Sequence, residues 1–361
     1  MRISPSKKTK ARDSNIELYR ILVMFAILCC HWGCATEIGQ LKYASAFSIH
    51  STFFYILGMW GKIGIDCFVL ITGYFMCMKN ITKEKFLKLY LQIVFYNIVI
   101  ALIFHLSGYW HTSPIGWILL LLPFRQIISD NFMQAFMVFY LFIPFLNKLL
   151  HSLKKRELQV LIGLLLFSFS IIDMVPETIA QISLNPICWF STVYFVGSYL
   201  RLYGKVDRAW GLLSIICILT EIVGLHLLLY IDKNTNVFIG PGRLASESSP
   251  LALATAVSTF MYFKKLNIKS NKLINTVGAT TFGILLIHAN SDAMRKWLWR
   301  DIFDCVGNFF TPYWWLYPII CLICIYVCCS IIEWFRICTI EKWTLPKVTQ
   351  MVDFILKGKE I

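Results

Sequence analysis

Long apolar runs separated by short polar segments form the main pattern of this chain. An apolar run of about 20 residues is long enough to cross a hydrocarbon core of about 30 Å as a helix, which satisfies its own backbone hydrogen bonds. The pattern therefore predicts an all-α, polytopic membrane helix bundle with about ten transmembrane helices. The shorter stretch 115–124 is predicted to be a re-entrant or interfacial piece. The predicted spans lie near 16–35, 52–77, 89–107, 132–150, 158–175, 186–203, 209–231, 248–263, 273–290 and 313–337.

The distribution of basic residues tests this division, because cytoplasmic loops carry an excess of Lys and Arg. With both termini inside, 25 of the 34 Lys and Arg residues fall in inner segments and 7 in outer segments. An odd number of spans would place successive clusters of basic residues on opposite sides of the membrane. The charge distribution therefore favours an even number of spans with both ends cytoplasmic. We therefore expect a basic cytoplasmic N-terminal segment (1–15), one transmembrane domain (16–338) and a basic cytoplasmic C-terminal tail (339–361).

Composition supports the membrane assignment and limits the function classes. The 361 residues are 58% hydrophobic, with a mean hydropathy of +0.65. The net charge of +14 lies in short clusters between apolar runs, so it does not predict nucleic-acid binding. Most of the 13 cysteines fall within apolar runs, where they act as small hydrophobic residues. Their spacing predicts no metal site, and no permanently bound cofactor is expected.

Arg20 and His31 lie within the first apolar run and share one helix face, because eleven residues of α-helix advance by about 1100°, close to three full turns. They are separated by about 16 Å along the helix axis. Ionisable residues at such depths generally mark functional sites. Arginine suits a phosphate or pyrophosphate, and a neutral imidazole can take a proton from a hydroxyl. In the structural alternative, Arg20 pairs with Glu17 and His31 bonds a backbone carbonyl.

Four further residues are candidates for substrate binding. His288 lies near the outer end of the predicted ninth helix at a depth comparable with His31, so we expect the two rings to converge. In the structural alternative, His288 bonds a backbone carbonyl or loop water. Lys62 and Asp66 are four residues apart on the second helix and are expected to neutralise one another, although Asp66 is also suited to orienting an imidazole. Arg243, in the outer loop 232–248, is a candidate contact for an acceptor glycan.

The stretch IELYRILVMFAILCCHW (16–32) resembles the opening helix of the membrane-bound acyltransferase-3 family, whose signature is an arginine and a histidine with ten residues between them. The second helix of the family is similar to GKIGIDCFVLITGYF (61–75). Its late helices are similar to SPLALATAV (249–257) and TFGILLIHAN (281–290), and YLFIPFLNKLL (140–150) also fits. The resemblance covers nearly the whole chain.

This resemblance implies about ten spans and transfer of an acyl group, usually acetyl, from cytoplasmic acyl-CoA to a hydroxyl of an envelope carbohydrate or its lipid-linked precursor. Arg20 would belong to the acyl-CoA end of the site, and His31 would be the catalytic histidine. Acyl-CoA, the glycan acceptor and the lipid bilayer are thus the expected partners, in a bacterial inner or plasma membrane; the oligomeric state is not predicted. In one departure, this chain reads NFMQAFMVFY (131–140) where related chains often have a tryptophan-tyrosine pair.

Two other functions are compatible with the residues. In a transporter or flippase, the intramembrane Arg, Lys, Asp and His residues would line an ion or substrate pathway. A receptor without catalysis is also compatible with them but explains none of them. The spacing of Arg20 and His31, together with the late histidine, favours the enzyme.

Overall fold

Helices make up 79% of the residues that the computed structural model describes, and no strand occurs among them. These residues are 13–34, 36–122, 132–174, 185–235, 240 and 242–357. Within these ranges the helices are α1 (Ser14–Gly33), α2 (Thr36–Ala44), α3 (Ile49–Gly58), α4 (Trp60–Met76), α5 (Lys83–Leu106), α6 (Pro114–Leu120), α7 (Phe132–Ser152), α8 (Lys155–Leu166), α9 (Pro186–Tyr203), α10 (Ala209–Asn234), α11 (Pro250–Lys265), α12 (Lys272–His288), α13 (Asp292–Lys296), α14 (Leu316–Arg336) and α15 (Lys342–Lys357).

Local sequence sets the start of several of these helices. A side-chain acceptor followed by proline begins α6, α9 and α11, where Ser113, Asn185 and Ser249 each accept a hydrogen bond from a backbone N–H of the first turn. Proline suits the next position, because its fixed φ is already helical and its missing N–H would have no partner inside the helix. The boundaries of these three helices are therefore encoded within a few residues.

Among the described residues, six segments are long and apolar enough to cross a membrane: Ser14–Gly33, Ile49–Met76, Lys83–Leu106, Phe132–Ser152, Ala209–Asn234 and Leu316–Ile355. Lys272–His288 and Asp292–Ile302 pass the same test together, with a bend of 94° between them, and would make a seventh span. Helices also lie in the other predicted ranges, but α9 has 18 residues and α11 only 16. The count of ten spans thus stays a prediction. Helix α6, in the predicted interfacial stretch, has seven residues.

Helix α10 shows how the bundle meets lipid. Leu212, Ile216, Leu219, Val223 and Leu227 recur at helical spacing and are all exposed. An apolar stripe of this length is typical of a surface in contact with hydrocarbon chains. The exposed side of α10 is therefore predicted to face the bilayer.

Helix α1 occupies the centre of the bundle, where it packs against α3, α4, α11, α12 and α14. Next to it, α4 and α9 cross very closely. A Cβ atom at Gly73 would lie 2.4 Å from the carbonyl oxygen of Tyr194, and one at Gly197 would lie 2.5 Å from that of Leu70. Small residues of this kind let membrane helices approach backbone to backbone. The crossing fixes the wall against which α1 lies.

The C-terminal part of the chain is also helical. Helix α14 continues through a π-helical segment, Ile337–Glu341, into α15, which packs on α5. Lys83 of α5 and Asp353 of α15 form a salt bridge of 3.3 Å. The predicted boundary at residue 338 thus falls within continuous helix.

Candidate active site

His31 and His288 meet in the centre of the bundle, as expected from their comparable depths. The Nδ1 atom of His31 lies 2.8 Å from Nε2 of His288. Each histidine occupies the last turn of its helix, α1 or α12. Glu17 packs on Gly278 nearer the other ends of these helices, which shows that the two helices run in the same direction. Parallel packing therefore brings to one level two side chains that are 257 residues apart in the sequence.

The hydrogen bonds of the two rings determine where their protons lie. His288 is fully buried, and its Nδ1 lies 2.6 Å from the carbonyl oxygen of Ile284, which can only accept. In its neutral form His288 therefore carries its proton on Nδ1 and accepts a hydrogen bond at Nε2. His31 then donates from Nδ1, and its Nε2 carries the lone pair. Such a nitrogen can accept a proton from a substrate hydroxyl.

Aromatic and charged side chains surround this histidine pair. Trp299 packs edge-on against both His288 and Trp32, with ring centroids 6.4 Å and 5.8 Å apart. Two cations, Lys62 and Arg295, lie close enough to interact electrostatically with His31. His288 is fully buried and His31 partly so, and burial strengthens the hydrogen bond between them.

Arg20 lies nearer the N-terminal end of α1 and forms a salt bridge of 3.3 Å with Glu17. This is the pairing anticipated by the structural alternative. The side chain of Arg20 nevertheless stays 25% exposed and lines a cavity of about 770 Å³. The planar guanidinium group matches the geometry of phosphate and carboxylate oxygens, so its place in the lining suits an anion entering the cavity.

This cavity opens where α1 begins. Its lining combines the start of α1 with residues that follow α4, begin α5 and end α9 and α11. All of these segments were assigned to the inner side from the charge distribution. Among the described residues, the lining includes three carboxylates and six cations, and the cations are Arg20, Lys79, Lys85, Lys88, Arg201 and Lys264. An excess of positive charge around a concave mouth attracts anionic ligands.

Aromatic side chains line the cavity farther in. Phe132, Phe136 and Tyr140 of α7 and Phe282 of α12 belong to this lining, and the ring centroids of Phe136 and Phe282 lie 6.4 Å apart. Three of these four belong to the stretch 131–140 that departs from related chains. The departure therefore does not leave the wall without aromatic contacts. Such a wall suits an extended, mostly apolar arm better than a second charged group.

The deep end of the cavity, opposite its mouth, approaches the histidine pair. Its lining extends to Met24 and Leu285. Leu285 precedes His288 by three residues, and Met24 precedes His31 by seven, or about 10 Å along α1. A ligand that fills the cavity therefore approaches the histidines from the side of the basic mouth.

A second buried polar cluster forms part of the cavity wall. The carboxylate of Glu333 accepts hydrogen bonds from Gln92 (2.9 Å), Tyr96 (2.6 Å) and Arg336 (2.7 and 2.8 Å). Arg336 also bonds Glu341 at 2.7 Å. These contacts join α5 to α14. The four hydrogen bonds that Glu333 accepts indicate a structural role in packing these helices together.

Lys62 and Asp66 do not form the simple pair that their spacing predicts. Lys62 instead forms a salt bridge of 3.3 Å with Glu247. Asp66 is fully buried and accepts a hydrogen bond of 2.8 Å from the indole of Trp189. The group that orients the histidine pair is also not Asp66, because His288 uses the carbonyl of Ile284. Helix packing thus overrides the local i, i+4 contact.

Arg243 is also partly engaged within the protein. Its guanidinium donates a hydrogen bond of 3.0 Å to the backbone carbonyl of Asp173, next to the bond between Ser248 and the Asp173 carboxylate. These contacts hold the loop before α11 against the end of α8 and its π-helical extension. The structure gives Arg243 a role in holding this loop and does not test its contact with an acceptor.

Sequence reasoning left two parts of the site unspecified. The lysines of the mouth were not named as individual candidates, although their positions next to helix ends were visible. A carbonyl partner for His288 was an open alternative, but the carbonyl of Ile284, four residues earlier in the helix, was not named. Both signals lie in the sequence, but neither shows which elements meet.

One of three comparisons with known proteins gives a match. A family model described as "Acyltransferase domain", that of the acyltransferase-3 family, matches residues 13–333. This range begins just before α1 and includes both histidines. No curated protein and no solved structure matches the chain.

Proposed function

This chain belongs to the acyltransferase-3 family and is a multi-pass membrane acyltransferase, and we propose that it moves an acyl group, by default acetyl, from cytoplasmic acyl-CoA to a hydroxyl of a cell-envelope or exopolysaccharide glycan or its lipid-linked precursor. The observation that carries this proposal is the pair of hydrogen bonds that runs from Ile284 through His288 to His31. These bonds leave the lone pair on Nε2 of His31, near the deep end of a cavity whose mouth is rich in cations.

In this proposal the donor enters through the basic mouth. The phosphates of acyl-CoA bind the lysines there and Arg20, whose planar fork of donors matches phosphate oxygens. The pantetheine arm follows the aromatic wall formed by Phe136 and Phe282. The thioester then lies between the cavity mouth and His31. We accordingly propose that the mouth is cytoplasmic, that both termini are on that side, and that the chain makes about ten crossings of a bacterial inner or plasma membrane.

The chemical step follows from the proton positions. Nε2 of His31 takes the proton of the acceptor hydroxyl as its oxygen attacks the thioester carbonyl carbon. The tetrahedral intermediate collapses, the C–S bond breaks, and the departing thiolate receives the proton from His31. During the step the positive His31 donates from Nδ1 to His288, and this hydrogen bond is stronger than one between neutral rings. His288 is therefore a positioning residue.

Membranes that contain the full chain test this proposal. We expect radiolabel from acetyl-CoA to enter envelope carbohydrate as a base-labile ester. The His31→Ala variant should lose about 10²- to 10⁴-fold in rate, the contribution typical of a general base. His226→Asn is the matched control: His226 also bonds the carbonyl four residues earlier, that of Ile222, at 2.8 Å, but it lies on α10, away from the cavity lining.

Expression of the three proteins must be matched. Equal labelling by wild type and His31→Ala would contradict the role of His31. No labelling by the wild type, in the presence of glycan acceptor, would contradict acetyl transfer and favour transport of an unaltered solute. Equal losses in both variants would show that the effect is structural.

A further inference from the structure

Two cysteines lie beside His31 at the end of α1 and have no part in the acyl transfer. The Sγ atoms of Cys30 and Cys34 are 3.5 Å apart. We propose that Cys30 and Cys34 are a reactive dithiol, a modification site that exchanges with small external disulfides and closes to a Cys30–Cys34 disulfide. Because it rests on the proposed function for the orientation of α1, the site is assigned to the extracytoplasmic face.

The backbone permits this bond. Residues four apart in an α-helix are separated by about 6 Å along the axis, within the Cα separation of about 4.4–6.8 Å that disulfides span. Cys34 is also the residue that follows the last helical position, with φ −110° and ψ 4°, so it is not held in the helical conformation. The two sulfur atoms therefore need to approach by roughly 1.5 Å to reach bonding distance.

The surroundings of Cys34 favour its thiolate. The hydrogen bond from Cys30 and the nearby ammonium groups of Lys42 and Lys62 hold the pKa of the Cys34 thiol below its usual range. The carbonyl end of a helix would by itself oppose a negative charge. Here the ammonium group of Lys42 bonds the carbonyl of Gly33 at 2.7 Å and offsets this effect. A thiolate is the form that attacks disulfides.

The pair is also accessible. Cys34 is exposed, Cys30 is partly exposed, and both line a second cavity of about 550 Å³ bordered by Lys42 and Lys62. Cys29, the neighbour of Cys30 in the sequence, is buried. A small disulfide can therefore reach Cys34 but not Cys29.

The exchange balances without a metal or an additional oxidant. The Cys34 thiolate attacks one sulfur of the external disulfide. The S–S bond of that disulfide breaks, one half leaves as a thiolate, and the other half stays bonded to Cys34 as a mixed disulfide. Cys30 then gives its proton to the released thiolate and attacks the Cys34 sulfur, which breaks the mixed disulfide and releases the second thiolate. Two electrons pass from the protein to the external disulfide. The new bond joins Cys30 and Cys34, which lie on either side of His31 in the sequence.

The experiment treats the reduced full-length protein, in membranes, with oxidised glutathione, quenches it with acid and maps the cysteines by mass spectrometry. We expect the peptide containing residues 30–34 to lose two hydrogens. Cys30→Ser should stop at the mixed disulfide on Cys34, and Cys34→Ser should form neither product. Cys29→Ser is the matched control and should form the disulfide as the wild type does.

Absence of both the disulfide and the mixed disulfide in folded wild-type protein would overturn the proposal. A membrane-impermeant disulfide applied to vesicles of either orientation tests the side, and reaction only from the cytoplasmic side would overturn the assignment to the outer face. These measurements detect the bond itself and not acyl transfer. Their failure is therefore distinguishable from failure of the proposed function.

Discussion

Two buried polar clusters join distant parts of this chain, but they differ in the group at which their hydrogen bonds end. The pair of His31 and His288 links α1 to α12 through one hydrogen bond between rings. The cluster around Glu333 links α5 to α14, and there a single carboxylate accepts four hydrogen bonds. The first cluster ends at a ring nitrogen that carries a lone pair. The second ends at the bonds of Arg336 to Glu333 and Glu341.

The difference separates a reactive arrangement from a structural one. A carboxylate whose oxygens are already occupied by donors, one of them charged, has little capacity left to bind or react, and removing it leaves a buried charge. A histidine with one nitrogen held and the other available is oriented for proton transfer. Burial and charge alone would not distinguish the two clusters. The direction and number of their hydrogen bonds do.

Removal of the Glu333 carboxylate should have the largest effect on stability. In Glu333→Ala the buried guanidinium of Arg336 loses two of its hydrogen bonds, and we expect the free energy of unfolding to fall by about 3–5 kcal/mol. Equilibrium unfolding of the purified protein in mixed micelles measures this loss.

The double variant Glu333→Leu, Arg336→Met is the control for this prediction. It removes both charges and keeps apolar volume, so it should lose less stability than the single variant. A single variant as stable as the wild type would contradict the structural role given to the cluster.

Removal of the ring at position 288 should affect catalysis more than stability. His288→Ala deprives the charged His31 of its acceptor, and a hydrogen bond to a charged group contributes about 1.5–3 kcal/mol. We expect a roughly 10- to 150-fold fall in kcat. The KM for acetyl-CoA should not change, because the donor binds from the other end of the cavity.

His288→Gln sharpens the test, since its amide oxygen can accept the hydrogen bond from His31 and should restore part of kcat. Equal losses in the Ala and Gln variants would contradict the positioning role. A rise in KM with unchanged kcat would instead indicate that His288 binds substrate.

Arg20→Lys should have the smallest effect of the three. The charge remains but the planar fork is lost, so about one hydrogen bond to the donor, worth about 1 kcal/mol, should disappear. The KM for acetyl-CoA should rise roughly fivefold with kcat unchanged. Steady-state kinetics at varied acetyl-CoA measures this change.

Arg156→Lys, on the exposed surface of α8, is the control and should leave both constants unchanged. An effect of Arg20→Lys confined to the glycan acceptor would contradict the assignment of Arg20 to the donor end of the site. It would also remove the distinction between the two ends of α1.

The sequence predicted helix α1 well, because its long apolar run encodes the helix locally. The eleven-residue spacing of Arg20 and His31 places them on one face of any helix that contains them. The charge distribution likewise predicted which loops share a side, and the residues around the cavity mouth come from those loops. The acyltransferase assignment, made from short motifs, agrees with a family match over residues 13–333.

Local spacing was a poorer guide where a side chain had competing partners. Lys62 and Asp66 are correctly placed for an i, i+4 pair, yet Lys62 bonds Glu247 and Asp66 bonds Trp189. Partners from other helices lie as close as those on the same helix, and burial favours whichever satisfies the charge. No pattern within one segment contains that information.

The sequence by itself determined the apolar helices and the balance of charge between their ends, and it predicted Arg20 and His31 as the residues of α1 most suited to chemistry. These properties follow from the periodicity of the helix and the cost of placing charge in hydrocarbon. The tertiary structure alone decided that His288 accepts from His31, that a carbonyl of α12 sets both proton positions, and that six cations share one mouth. Each of these depends on contacts between helices far apart in the chain, which exist only once the bundle has packed.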